Sequence, residues 1–306
     1  MQSTAINYNV TSLPPVCPVR TGALTVGRLA TGHEDEVLAF LAVRPLHTVI
    51  MAGMIRDNGL TSERNRGVFY ACRNTMGKLQ GVALIGHVTM IETANETAME
   101  LFVEVAQDHQ LTHVIIGEVE KVAHFWDLYG PFGQQARLAC RELLFEQHWP
   151  VAVQEPISLR KATLDDIEPI MVVHAQMAFE ESGINPMEKD PIGFRRRVAY
   201  RIEKGRVWIH TEEGRLICKA DVVSDTPEQI YLEGVYVSPE YRSQGYGARF
   251  ISQLGRTLLE QTKSISVLVN ENNPAAQTFY QQAGYKLRGY YDTIYLQQNS
   301  LRDSSQ

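Results

Sequence analysis

A segment that could bind phosphate lies at residues 242–247 and reads Arg-Ser-Gln-Gly-Tyr-Gly. It follows an apolar, β-branched run at 229–237, and a helical pattern begins near Gly245. The first N–H groups of a helix have no partner within the helix, and they carry the positive end of its dipole. Glycines let the backbone approach a phosphate closely and adopt positive φ. The order of strand, glycine loop and helix therefore predicts a site for a phosphate-bearing cofactor.

The spacing of these glycines excludes two common phosphate sites. It is not the Gly-x-Gly-x-x-Gly of a dinucleotide-binding Rossmann domain, and the Gly-Lys-Ser/Thr of a P-loop is missing. An Arg-x-x-Gly-x-Gly loop after a strand instead resembles the acetyl-CoA pyrophosphate loop of the GNAT N-acetyltransferases. A glycine turn before a helix also occurs as plain structure, so the loop alone leaves both interpretations open.

A second motif follows the loop in the order that this family has. Residues 264–269 (Ser-Ile-Ser-Val-Leu-Val) predict a buried strand. Asn273 and Pro274 suit the start of the next helix, and Gly284 suits its end. The segment resembles the second GNAT signature, a strand ending in Asn and then Asn-x-x-Ala-x-x-x-Tyr-x-x-x-Gly-Phe/Tyr. The two signatures together are more specific than either, and the resemblance covers roughly residues 157–297.

The resemblance implies which residues would hold acetyl-CoA, the co-substrate of the family. The strand that ends at Val237 would pair with the pantetheine arm, and a backbone N–H near Val237 would polarise the acetyl carbonyl. The pyrophosphate would lie on the N–H groups of the loop, where Arg242 would add positive charge; a surface arginine that caps the loop is the structural alternative. The implied cofactor-binding residues are Val235, Tyr236, Val237, Arg242, Ser243, Gln244, Gly245, Tyr246, Gly247, Ala248, Asn270 and Asn273.

Acetyl transfer to an amine needs a base, stabilisation of the oxyanion and a leaving thiolate. By the resemblance, Tyr280 is the tyrosine that protonates or hydrogen-bonds the departing sulfur, although a tyrosine packed on a helix face is the alternative. Glu233 is the expected base, because strand side chains alternate and Glu233, Val235 and Val237 would share one face. An ion-paired strand glutamate is the alternative for Glu233, and Asp221 is a weaker candidate base.

The acceptor site is expected at residues 179–197, where the family has a variable loop. Glu180 and Glu181 are the candidate substrate-binding residues, since carboxylates favour a cationic amine over an acidic acceptor. The expected acceptor is a small-molecule amine or a protein lysine, attacked directly in a ternary complex. The competing interpretations are a non-catalytic acyl-CoA-binding sensor and an interaction protein.

The elements predicted along 157–297 follow the order β-α-α-β-β-β-α-β-α-β-β, which is the order of the GNAT fold and ends in a pair of strands near 285–296. The elements predicted along 22–145 follow a similar order, which suggests an internal repeat. We therefore expect a mixed α/β (α+β) fold of two tandem GNAT-like domains, each a central mixed sheet flanked by helices. The expected segments are an arm (1–20), a degenerate GNAT-like domain (21–150), a catalytic domain (155–297) and a flexible tail (298–306).

The first half is expected to have lost the cofactor site. Residues 92–97 (Glu-Thr-Ala-Asn-Glu-Thr) stand where the phosphate loop would be, and their two carboxylates would repel a pyrophosphate. The Asn-x-x-Ala-x-x-x-Tyr signature is missing there as well. The arrangement resembles tandem GNAT proteins of bacteria, in which one half catalyses and the other shapes the substrate cleft. Two unrelated α/β domains are the alternative.

The composition is that of an ordinary globular protein, with 306 residues, 44% hydrophobic, 21% charged and a formal net charge of −6. The negative charge argues against a nucleic-acid partner. No long apolar run or signal-peptide pattern is visible, so we expect no membrane partner. The four cysteines form no Cys-x-x-Cys pair, which predicts no metal, reduced thiols and a cytoplasmic location. A monomer or a homodimer is expected.

Overall fold

The computed structural model describes residues 19–109, 112–149, 151–152 and 155–297, with the backbone alone at 19–21. The chain divides into two compact units, a first unit of residues 1–141 with 290–306 and a second unit of residues 142–289. Each is a mixed α/β unit, so the predicted fold class is confirmed. The predicted tail (298–306) and most of the predicted arm (1–20) lie outside the described residues.

The first part of the chain alternates sheet-forming and helical segments. Its elements are β1 (Val19–Thr21), β2 (Leu24–Arg28), α1 (Glu34–Leu41), α2 (Pro45–Asn58), β3 (Gly67–Asn74), β4 (Leu79–Gly86), β5 (Val88–Thr93), α3 (Glu96–Gln107), β6 (Val114–Glu118), α4 (Val119–Tyr129) and β7 (Ala136–Gln147). The second part repeats this pattern. Its elements are β8 (Arg160–Lys161), α5 (Ile167–Ser182), α6 (Pro186–Lys189), α7 (Pro191–Glu203), β9 (Val207–Glu212), β10 (Arg215–Asp225), β11 (Ile230–Val237), α8 (Tyr246–Leu258), β12 (Ile265–Asn270), α9 (Pro274–Gln282) and β13 (Lys286–Leu296).

The first unit is built on strands in the order β1-β2-β3-β4-β5-β6, followed by the end of β13. Neighbours are antiparallel except β5 and β6, which pair in parallel only at Val88–Thr89 and Val114–Ile115. Buried residues of α3 and α4, such as Phe102 and Phe125, form one apolar cluster with the sheet. Residues of α1 and α2 form a second cluster, so helices pack against both faces of the sheet.

The second unit has strands in the order β7-β12-β11-β10-β9-β8. One face is packed by α8 and α9, whose Phe250 and Tyr280 share an apolar cluster with Cys218 of β10. The other face is packed by α5 and α7, whose Ile170 and Val198 lie in a separate cluster. These two helices cover the face on which the acceptor site is expected.

Each unit takes a strand from the other half of the sequence. Residues 142–147 of β7 pair with β12 in the second unit, and residues 291–295 of β13 pair with β6 in the first. The compact units therefore differ from the contiguous segments 21–150 and 155–297, which stay a prediction about where domains begin and end. The predicted closing pair of strands is wrong, because β13 is a single strand. Gly289 within it does not take a positive φ, and no turn forms there.

Candidate functional site

The strands β11 and β12 separate part of the way along their length. They pair in parallel only at Ile230–Leu232 with Ile265–Val267, although β11 continues to Val237 and β12 to Asn270. The N–H of Ser238 donates to Ile217 O on β10 at 2.8 Å. Because amide directions alternate along a strand, the N–H of Val237 points away from β10, into the opening. This opening can accept an extended chain that pairs with the free side of β11, as expected for a pantetheine arm.

A β-bulge at Gly234 sets which side chains point to which face of the sheet. Asp221 of β10 lies opposite Glu233, but Lys219 lies opposite Tyr236, so β11 has one residue more than β10 between these pairs. Gly234 has a φ of +59°, and a Cβ there would lie 2.7 Å from Asp221 Oδ2 and 2.8 Å from Lys219 Nζ. Only glycine fits this position without displacing the side chains beneath it.

The bulge corrects the expected direction of the candidate base. Glu233 and Tyr236 point to the face of Asp221 and Lys219, whereas Val237 lies opposite Cys218 and points to the other face. The prediction that Glu233, Val235 and Val237 share one face is therefore wrong, because the extra residue shifts the two-residue alternation. Val235 and Val237 pack instead against the cluster of α8 and α9.

The loop at 242–247 turns directly into α8 and exposes the start of this helix. Gly245 is the N-cap with a φ of +82°, and it has no side chain that could bond to the first-turn N–H groups. Ser243 also has a positive φ, of +59°. A Cβ at Gly247 would lie 3.1 Å from both Phe279 Cε2 and Val237 Cγ2, so the glycine lets helix, strand and α9 approach closely. Exposed N–H groups at a helix N-terminus suit a pyrophosphate.

Tyr246, the first residue of α8, is held by polar contacts. Its hydroxyl donates to Glu212 Oε2 at 3.1 Å, and Arg249 lies over its ring, 4.6 Å from the centroid. His210 lies beside the same ring and contacts Glu212 Oε1 at 3.2 Å. Arg242 is exposed and donates from Nε to Val237 O at 3.1 Å, which fixes the loop against β11 and leaves its terminal nitrogens at the surface.

The two asparagines among the predicted cofactor residues serve as local hydrogen-bond acceptors. Asn273 Oδ1 accepts from the N–H of Ala276 at 3.0 Å and so caps α9, which begins at Pro274. Asn270 Oδ1 accepts from the N–H of Asn272 at 2.9 Å. Both contacts shape the turn after β12. Their contact with a cofactor stays a prediction.

Tyr280 lies on α9 with its ring packed between aromatic neighbours. Its ring centroid is 5.1 Å from that of Phe279, 5.3 Å from Tyr285 and 6.4 Å from Phe145. Burial raises the pKa of Tyr280 well above its ordinary value, so the phenol keeps its proton. Among the described residues, no group forms a hydrogen bond with its hydroxyl. Tyr280 is therefore packed in the core with a protonated hydroxyl, and its role as a proton donor stays a prediction.

The candidate base and one candidate substrate residue lie together. Glu233 and Glu181 are both exposed to solvent, yet enough protein surrounds them to raise the pKa of each carboxyl. For Glu181 the pKa rises to about 7, through loss of hydration first and then through the negative charges of Glu233 and Glu142. Glu180 points elsewhere on α5, where it accepts a hydrogen bond from Gln176 at 2.9 Å. Of the two predicted substrate-binding residues, Glu181 is therefore the one whose pKa is raised by the charge of Glu233.

A buried ionic network lies beneath Glu233, and the sequence analysis did not identify it. Lys219 Nζ donates to Asp221 Oδ2 at 2.7 Å, and His174 Nε2 and Arg201 lie 3.0 and 3.5 Å from the same oxygen. Burial acts to raise the pKa of Asp221, but Lys219 and its other neighbours outweigh this and lower it. Asp221 is therefore a buried, paired carboxylate, a poor position for a base. Lys219 and Asp221 are two residues apart on a strand and so share a face, and this spacing was the sequence signal that could have indicated the ion pair.

The raised pKa of Glu181 predicts a stability change with pH. Its pKa is about 7 in the folded protein against an ordinary 4.5. Between these values the unfolded chain has lost this proton and the folded protein keeps it, so the free energy of unfolding falls as pH rises. We expect Glu181→Gln to remove this fall and to be more stable than the wild type above pH 7. Urea unfolding at pH 4.5, 6 and 8 measures the effect. Glu260→Gln, at an exposed position after α8, is the control. If the free energy of unfolding changed with pH in the same way for Glu181→Gln and the wild type, the prediction would be contradicted.

The first unit has a similar opening between β5 and β6, but salt bridges cross it. Arg44 lies 3.0 Å from Glu92 and 2.6 Å from Glu118, and Lys121 lies 2.7 and 3.1 Å from the same two carboxylates. The helix that follows β5 is capped by Asn95, whose side chain accepts from the N–H of Ala98 at 3.0 Å. Side chains of this unit thus bridge β5 and β6 and cap the helix that follows β5, and the loss of the cofactor site in this unit stays a prediction.

The described residues offer two further observations on the class of protein. Within them, no group of three or more His, Cys, Asp or Glu side chains could hold a metal ion. No helix in the described part of the chain combines the length and apolar character needed to cross a membrane.

Comparison with known proteins identifies the segment that carries the opening and the loop. Residues 203–287 match the family model for the acetyltransferase (GNAT) domain. A comparison with curated proteins gives no match. This matched segment contains β11, the glycine loop, α8, β12 and Tyr280.

Three solved structures are similar over most of the chain. A Drosophila melanogaster protein is 15% identical with a TM-score of 0.67, over 90% of this chain and 99% of its own. A GNAT-family acetyltransferase from Colwellia psychrerythraea is 14% identical, with a TM-score of 0.56 over 89% of this chain and 99% of its own. A tandem GNAT protein from the clavulanic acid biosynthesis pathway is 14% identical, with a TM-score of 0.55 over 89% of this chain and 97% of its own. At these identities the likeness is one of fold.

Proposed function

We propose that this chain, which carries a GNAT-family acetyltransferase domain at residues 203–287, is an acetyl-CoA-dependent N-acetyltransferase that acts on a primary amine by direct attack in a ternary complex. The observation that carries the proposal is the opening between β11 and β12, which leads directly to the uncapped N-terminus of α8. An extended thiol arm fits the first feature and a pyrophosphate fits the second. The two features are joined by the loop at 242–247.

In this proposal, a specific residue acts in each step of acetyl transfer. The N–H of Val237 donates to the thioester carbonyl and stabilises the oxyanion that forms when the amine nitrogen attacks. Glu233, directly or through a water molecule, takes the proton that the amine loses. Tyr280 donates its proton as the carbon–sulfur bond breaks and the thiolate leaves. Loop N–H groups and the terminal nitrogens of Arg242 hold the pyrophosphate.

The proposed function is tested with the full chain, acetyl-CoA and a panel of primary amines. Release of free CoA thiol is followed at pH 8 and compared with a reaction that lacks amine. Amine-dependent release supports the enzyme. Binding of acetyl-CoA by calorimetry without turnover on any amine would favour the non-catalytic sensor, and no binding at all would favour an interaction protein.

The substitution Tyr280→Phe tests the proposed acid. We expect turnover to fall about 100-fold, the usual contribution of a positioned proton donor, while the affinity for acetyl-CoA stays nearly unchanged. Tyr285→Phe is the matched control, because Tyr285 is a neighbouring buried tyrosine whose hydroxyl has no hydrogen-bond partner among the described residues. It should keep full turnover. Equal rates for the wild type and Tyr280→Phe would assign Tyr280 to packing alone.

We also propose a cytoplasmic location and a monomer or homodimer. Acetyl-CoA is a cytoplasmic co-substrate, and cysteines remain reduced in that compartment. Cys72 and Cys218 are buried thiols, and burial raises their pKa to about 11 and about 12. Thiols with such raised pKa values are poor nucleophiles, so neither Cys72 nor Cys218 suits a covalent acyl-cysteine intermediate. Cys17 lies outside the described residues.

A further inference from the structure

Three carboxylates of the second unit come from three different elements beside the opening of the sheet. Glu233 lies on β11, Glu181 near the end of α5, and Glu142 on β7, the strand that comes from the first half of the sequence. Glu142 pairs with Asn270 at the end of β12, just where β12 has separated from β11. Glu142 has no role in the acetyl transfer described above.

The strand register places Glu142 and Glu233 on the same face of the sheet. Glu146 lies opposite Ser266 of β12, and Ser266 lies opposite Tyr231 of β11, so these three side chains share a face. Glu142, four residues before Glu146, and Glu233, two residues after Tyr231, point the same way by strand alternation. β12 lies between the two strands, and because β12 has separated from β11 at the level of Asn270, the gap between β7 and β11 is wider there than across three hydrogen-bonded strands. This is the face covered by α5, which carries Glu181.

The electrostatics of this face agree with the register. The charges of both Glu142 and Glu233 act on Glu181, and those of all three carboxylates act on the buried hydroxyl of Tyr231. Next to Glu233, the side chain of Asp221 is only 3% exposed, and its Oδ1 has no hydrogen-bond partner among the described residues. A buried acceptor without a partner is a place where a further donor would be favourable. The face therefore gathers Glu142, Glu181 and Glu233 beside the opening, next to the buried Asp221 with its cations Lys219 and Arg201.

We propose that Glu142 is a specificity-determining residue of the acceptor site, and that with Glu181 it selects amines that carry a second cationic group. This inference rests on the proposed function. Glu233 serves the amine that is acetylated, and the second cation lies between Glu142 and Glu181. Carboxylates on different elements of one face suit a short linear diamine, in which the two nitrogens are held apart by a flexible alkyl chain. A monoamine of the same length would place its apolar end against the carboxylates of Glu142 and Glu181, which is less favourable.

The test compares 1,5-diaminopentane with 1-aminopentane, which differ only in the second amine. For the wild type we expect a lower KM and tighter calorimetric binding of the diamine. For Glu142→Gln we expect the KM of the diamine to rise about 10-fold, with the KM of the monoamine and of acetyl-CoA nearly unchanged. Glu142→Asp keeps the charge and should retain most of the preference. Glu260→Gln is the control for loss of one exposed carboxylate and should behave as the wild type.

A pH profile separates substrate selection from a structural role. Loss of hydration raises the pKa of Glu181 to about 7, and the charges of Glu233 and Glu142 contribute to the rise, so diamine binding by the wild type should strengthen as pH rises through about 7. In Glu142→Gln this midpoint should move to lower pH, whereas in Glu142→Asp, which keeps the charge, it should stay near the wild-type value. Equal effects of Glu142→Gln on both amines, or an unchanged preference and midpoint, would overturn the inference.

Calorimetric binding decides the inference even without turnover. Preferential binding of the diamine that depends on Glu142 supports the acceptor site, whether or not acetylation follows. Absence of turnover on every amine speaks against the proposed function alone.

Discussion

Gly245→Asp abolishes acetyl-CoA binding, with the Kd rising about 100-fold or more. The new carboxylate would lie at the N-cap of α8, beside the pyrophosphate that the loop is proposed to hold. Two like charges about 4 Å apart repel by roughly 4 kcal/mol near a protein surface, which is enough for a loss of this size. A Cβ at Gly245 meets no atom within 4 Å, so the side chain has space, although the φ of +82° strains residues other than glycine. Calorimetric titration of acetyl-CoA into the full-length variant measures the effect.

Gly245→Asn separates charge from backbone strain. Asparagine has nearly the same shape as aspartate and tolerates the positive φ of +82° at this position, but it carries no charge. We expect it to bind acetyl-CoA with a modest loss. Equal losses for both variants would point to backbone geometry, and wild-type affinity in Gly245→Asp would remove this loop from the cofactor site. Residual binding of one equivalent would instead reveal a site in the first unit.

Gly234→Ala should destabilise the protein and remove activity together. The added methyl would lie 2.7 Å from Asp221 Oδ2 and 2.8 Å from Lys219 Nζ, on a residue whose φ is +59°. Positive φ costs a non-glycine residue roughly 1–2 kcal/mol, and breaking a buried ion pair costs about 3–5 kcal/mol. We therefore expect the free energy of unfolding to fall by about 3 kcal/mol or more. Acetyl transfer should be lost even in the folded fraction, because the bulge aims the backbone of Val237 into the opening.

Gly289→Ala is the matched control for a strand glycine. Gly289 lies in β13 without a positive φ, and a Cβ there meets no atom within 4 Å. We expect wild-type stability and activity for this variant. Urea unfolding and the CoA-release assay on both variants make the comparison. A Gly234→Ala protein as stable and active as Gly289→Ala would mean that the bulge can relax, and that its shape is not needed for the site.

Local sequence determined most of the secondary structure and the candidate cofactor loop. The predicted strand at 264–269 and the helix start at Pro274 agree closely with β12 and α9, because apolar runs and capping residues act within a few neighbours. The glycine loop and the segment around Tyr280 are contiguous motifs, so their residue types and spacing were sufficient to indicate the family. Gly234 within a β-branched run was also a local sign of a bulge, although its consequence for Glu233 was not predicted.

The tertiary structure decided the features that depend on pairing between distant segments. The register across the bulge turned Glu233 away from Val237, and the placement of β7 brought Glu142 to the face of the second unit that carries Glu233. In the first unit, Arg44 and Lys121 meet Glu92 across the opening although their positions in the chain are far apart. Periodicity gives the face of a residue only relative to its own strand. Which strand lies beside it, and where an extra residue shifts the register, is set by the packing of the whole sheet, and these two choices position the candidate acceptor site.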